Sequence, residues 1–226
     1  MIMDKDQKNQ PTIETVRVIG AAGFYAGLAG AAAAVVMIVW SPQVAPEVFS
    51  YPFDAVGLAV AQVFFSIQHL FLAALIGILP WTAAVGRSRL ARTWLTVAAW
   101  ALVAFAVLEL VVIPAADTVA SDPVSGLIGA GYGILSLLVG VALIVGGIGV
   151  VRKCGWTGAK RYLPLILGIF VFVPMLPSLM GPSILGRLSI GAWVLLFAAL
   201  GWFLWHSGSR DLERSAAASR EKVAGS

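Results

Sequence analysis

Gln62, Ser66 and His69 stand at i, i+4 and i+7 in the stretch SYPFDAVGLAVAQVFFSIQHL, residues 50–70. That spacing puts an amide, a hydroxyl and an imidazole on one face of a helix. In a row they can hold the polar head of a ligand by hydrogen bonds. The stripe lies in an apolar run, so it must face other helices or a cavity rather than hydrocarbon. Tyr132 or Ser136, at i and i+4 of a later run, or a water, is the expected partner of His69. Gln62, Ser66, His69, Tyr132 and Ser136 form the candidate ligand-binding set. Gln68 projects about 100° away from His69 and is expected to face a different neighbour.

Two charges also fall within apolar runs, Glu109 and Arg187. Counted inward from the expected outer helix ends, Glu109 lies about 7 Å deep, Arg187 about 6 Å and His69 about 22 Å. Matching depth predicts a structural ion pair between Glu109 and Arg187. The mismatch, about 15 Å, separates Glu109 from His69 and argues against acid–base catalysis there. No catalytic residue is assigned.

Other chemistries lack their residues. No second His, Cys or carboxylate stands at i+3 or i+4 from His69, as a helical metal site requires. A single cysteine, Cys154, excludes an internal disulfide; Arg152 and Lys153 beside it favour its thiolate only modestly, and it reads as an inert thiol. There is no Walker A loop, HExxH or GxSxG, no helix with repeated arginines, and no cofactor or metal is expected.

The elements that must position these groups are legible from composition. The 226 residues are 60% hydrophobic and 12% charged, with a mean hydropathy of +0.93. Soluble domains are about half apolar and about a quarter charged. The apolar excess is gathered into six runs, near 16–40, 54–81, 90–113, 125–151, 162–180 and 183–206. The fold class is therefore all-α, a six-helix transmembrane bundle occupying 16–206, with polar tails at 1–15 and 207–226. The first run is too long for a signal-peptide core and reads as a retained span. Gly23 and Gly27 form a GxxxG pair on it, and Gly129, Tyr132, Gly133, Ser136 and Gly140 share a face of the fourth run, both suited to close helix contact. Pro174 and Pro177 should kink or end the fifth.

Fourteen of the fifteen Lys and Arg residues fall on one side if there are six spans; Arg187 alone is on the other. The positive-inside rule then places both termini in the cytoplasm. The same segregation explains the pI near 9.5 and excludes nucleic acid as a partner. Between the first two spans, Trp40, Phe49, Tyr51 and Phe53 suit a headgroup layer, as an interfacial anchor or as a cap over a cavity.

Trp40-Ser-Pro42, the SYPF segment and Gln62 to Leu70 together resemble a group of bacterial multi-pass integral membrane proteins with no assigned activity. The resemblance covers about the first third of the chain. It implies a bacterial plasma-membrane location and brings no catalytic residues. Three functions are compatible with the residues. The first is a non-catalytic protein binding a lipid, a small apolar ligand, a membrane partner or a second copy. The second is a small permease or channel subunit with a polar path along the second helix. The third is an integral membrane enzyme acting on lipid or quinone. Small-residue faces and few buried charges favour the first.

Overall fold

The computed structural model describes residues 11–224 except 83, 86, 87, 120, 154, 155 and 157, and only the backbone of 153, 183 and 207–224. Cys154, Arg87 and the first ten residues lie outside the described residues. The chain is helical, with no strand among the described residues beyond an isolated bridge between Val48 and Val119.

The helices are α1 (Ile13–Val39), α2 (Ala55–Ile78), α3 (Arg89–Val112), α4 (Pro123–Lys153), α5 (Leu163–Phe170), α6 (Leu176–Leu179) and α7 (Ser183–Ala224). Six segments are long and apolar enough to cross a membrane, the fifth running over Ala159–Leu179 through α5 and α6. α1 begins at Ile13, earlier than hydropathy alone suggests, because Thr12 caps it by accepting the Thr15 N–H. Asp54 and Ser88 cap α2 and α3 in the same way. Between α5 and α6 the backbone widens into a five-residue π turn, Val171–Met175, around Pro174. A proline lacks the donor and clashes one turn back, and the wider turn accommodates both faults.

The helices form a ring. α1 packs on α7 and α2, α2 on α3, α3 on α4, α4 on α5, and the fifth segment returns to α7. The connections at 40–54 and 113–122 carry Glu47, Asp54, Asp117 and Asp122 and define an acidic end; Arg89, Arg92, Arg152, Lys160 and Arg161 define the basic end. At the acidic end the two connections are tied together by Phe49 N–H donating to Thr118 O at 2.9 Å. Phe53 and Ser50 turn inward and are buried, while Tyr51 and Trp40 remain exposed. The core runs down the ring through Leu72, Leu75, Leu102, Leu143, Leu167 and Phe197, all fully buried.

The small-residue faces divide between neighbours. On α1, Gly27 meets the α7 backbone at Val194, whereas Gly23 meets Leu75 of α2. On α4, Gly140 packs under Val171 and Phe172, but a side chain at Gly129 or Gly133 would meet open space. The expected continuous stripe on α4 is thus half contact and half free surface.

Candidate functional site

α2, α3 and α4 converge near the middle of the ring, in the half toward the acidic end. Ser66 donates to Ala106 O at 2.8 Å, a buried bond that sets the register of α2 against α3. One turn away on each helix stand His69 and Glu109. Their Nδ1 and Oε1 atoms lie 3.6 Å apart. Tyr132 of α4 donates its hydroxyl to Glu109 Oε2 at 2.6 Å. The His69 ring stacks on Phe105, with centroids 5.0 Å apart and an interplanar angle of 8°. Phe105 in turn contacts Tyr132. Gln62 lies beside the Tyr132 hydroxyl, and its Oε1 is buried without a hydrogen-bond partner among the described residues.

This corrects the sequence reading at two points. Glu109 does not pair with Arg187; it belongs to His69 and Tyr132. The depth estimate placed the starts of α2 and α3's far end at equal height. The Ser66–Ala106 register puts the start of α2 about 6 Å higher, which reduces the axial offset of His69 and Glu109 to about 9 Å. The helices are antiparallel, and side chains lean toward their own N-terminus. His69 therefore leans toward the acidic end and Glu109 toward the basic end, and the two meet. Arg187 instead donates to Met37 O. Met37 lies in the last turn of α1, where carbonyls lack intrahelical partners and a cation is favoured.

The other sequence candidates fall as follows. Gln62, His69 and Tyr132 are brought together. Ser66 is spent on the α3 backbone. Ser136, half-buried one turn below Tyr132, forms no hydrogen bond with His69 among the described residues. Gln68 does face another neighbour: its amide donates to Ala26 O of α1 at 3.2 Å, into space that Gly30 leaves open. Phe105 was not singled out in the sequence. Its only signal was its position at i−4 from Glu109 on the same helix face.

The hydrogen-bond directions around His69 fix its chemistry. Nδ1 has two near neighbours, Phe65 O at 2.9 Å and Glu109 Oε1, and both are acceptors. Nδ1 therefore carries the proton, and Nε2 of a neutral ring is an acceptor. No described residue bonds Nε2, and 15% of the side chain remains accessible. Glu109 by contrast is 5% exposed, with Oε2 accepting from Tyr132 and Oε1 3.6 Å from His69 Nδ1. The cluster is thus a buried support, Glu109 with Tyr132, holding a histidine that presents one open acceptor. Among the described residues no group of three His, Cys, Asp or Glu side chains is placed to hold a metal. No protein-family model, curated protein or solved structure matches the chain.

Proposed function

We propose that this is a bacterial plasma-membrane protein, with both termini cytoplasmic, that binds a small apolar or lipid-like ligand through the His69 cluster without transforming it. The observation that carries the reading is the unengaged Nε2 of His69, on a ring held by Phe65 and backed by Glu109 and Tyr132. A ligand suited to it has an apolar body and a head that donates one hydrogen bond, such as a phenol or an alcohol. Inside a bundle such a bond has few competitors, because lipid offers none. The Lys and Arg distribution supports the orientation.

A photoreactive long-chain alkylphenol tests this reading on the purified protein. Labelling should fall on α2–α4 peptides and drop about tenfold with the methyl ether of the same phenol, which has no donor. It should drop similarly in His69→Phe. Equal labelling by phenol and ether contradicts the reading.

One observation favours a second reading, an enzyme acting on a quinol or lipid. Glu109 and His69 are neighbours, so an acid and a base stand together after all. Consumption of a quinol by the wild type but not by Glu109→Gln would select it. The permease reading is weakened, because Ser66 and Gln68 are occupied in bonds between helices.

A further inference from the structure

A second feature lies on the outer surface of the ring, between α3 and α4 toward the basic end, independent of the His69 cluster. It is an open groove of about 510 Å³. Arg92 and Thr93 stand at its mouth, and Trp100, Ala104, Leu135 and Leu138 line its length. We propose that this groove binds an anionic phospholipid, with the phosphate at Arg92 and Thr93 and one acyl chain along α3.

Three properties of the groove support that occupant. The first is length. From Arg92 to Ala104 α3 advances about 18 Å. Half of a hydrocarbon core is about 15 Å thick. The groove therefore spans one leaflet from headgroup level to the chain ends. The volume lies within the range of ordinary ligand sites, about 300–1,000 Å³.

The second is charge. The polar groups sit at one end and the rest is apolar, which is the distribution of a phospholipid. No carboxylate lines the groove, and none pairs with Arg92 among the described residues. The Arg92 guanidinium lies over the Trp81 ring, 5.4 Å from its centroid. That stacking holds the side chain at the mouth and leaves its planar N–H edge free for a phosphate. No described residue bonds the Thr93 hydroxyl, whereas the Thr96 hydroxyl already donates to Arg92 O. Basic pockets between helices are where anionic headgroups are recognised.

The third is Trp100, which is 69% exposed. It stands about 16 Å along α3, well inside the apolar depth. Tryptophan collects at membrane interfaces rather than there. As a side wall of the groove the ring gives an acyl chain a broad apolar surface.

The test uses the full chain in detergent with equal amounts of phosphatidylglycerol and phosphatidylcholine bearing the same acyl chains, read by native mass spectrometry. Phosphatidylglycerol should be retained about tenfold over phosphatidylcholine. Arg92→Gln should abolish that preference. Arg17→Gln, which removes the same charge at the same end but outside the groove, should leave it unchanged. Ala104→Trp, checked for an unaltered unfolding temperature, should lose the retained lipid with Arg92 intact. Equal retention of the two lipids overturns the proposal, as does an equal loss in Arg92→Gln and Arg17→Gln. A dimer that forms with the groove free of lipid also overturns it, because the surface would then belong to a second copy.

Discussion

The α1–α7 seam and the α2–α3–α4 cluster join helices by opposite means. Along the seam the backbones touch. A Cβ at Gly20 would stand 2.6 Å from Trp205 N, and one at Gly27 would stand 2.6 Å from Val194 O. Its side-chain polarity is confined to the end, where Arg187 caps α1 at Met37. In the cluster the helices are held by side chains: Ser66 to Ala106 O, and Tyr132 to Glu109 with His69 alongside. Apolar surface gives helices no reason to associate in lipid, so close van der Waals contact and interhelical hydrogen bonds are the two available means. The seam uses the first and leaves no space. The cluster uses the second and leaves an acceptor open. The seam presents no open acceptor; the cluster presents His69 Nε2, on which the proposed ligand site rests.

The largest effect should come from breaking the seam. A Cβ at Gly201 would meet Phe24 N at 2.5 Å and Gly20 O at 2.6 Å, and backbone cannot rotate away. Gly201→Val should cost about 3 kcal/mol, read as the unfolding midpoint of the purified protein. Gly133→Ala on α4, where a Cβ meets nothing, should stay within about 0.5 kcal/mol of wild type. If the two variants behave alike, the distinction between seam and free surface is wrong.

Next comes the cluster. Tyr132→Phe leaves Glu109 Oε2 buried without its donor and should cost about 2 kcal/mol. Combined with Glu109→Gln it should be less than additive, with a coupling of about 1 kcal/mol. The smallest effect belongs to the pairing that depth suggested. Glu109→Gln and Arg187→Gln should be additive within about 0.5 kcal/mol, because the two residues share no partner. A coupling above 1 kcal/mol between Glu109 and Arg187 would restore their ion pair.

The six spans were legible in the sequence because hydropathy and length carry them locally. That His69, Gln62 and Tyr132 must face other helices was legible too, since polar side chains in apolar runs need neighbours. Their partners were less so. Ser66, Gln68 and Arg187 all bond backbone carbonyls, and every residue has one, so no residue type marks the acceptor. Glu109 was assigned to the wrong partner for a geometric reason. Depth was counted from helix ends, and α2 starts higher than α3 finishes. Interhelical register decides which side chains meet, and a single chain's hydropathy does not contain it.

The Phe65 carbonyl, with Glu109 beside it, holds the His69 proton on Nδ1 and leaves Nε2 as an open acceptor. Nitrogen-15 NMR of the protein in bilayers, in a His206→Asn background so that one histidine remains, reads this directly. The expected spectrum is that of a neutral ring protonated at Nδ1, with Nε2 shifting when an alkylphenol is added. A ring protonated at Nε2, or an Nε2 signal indifferent to the phenol, would contradict it.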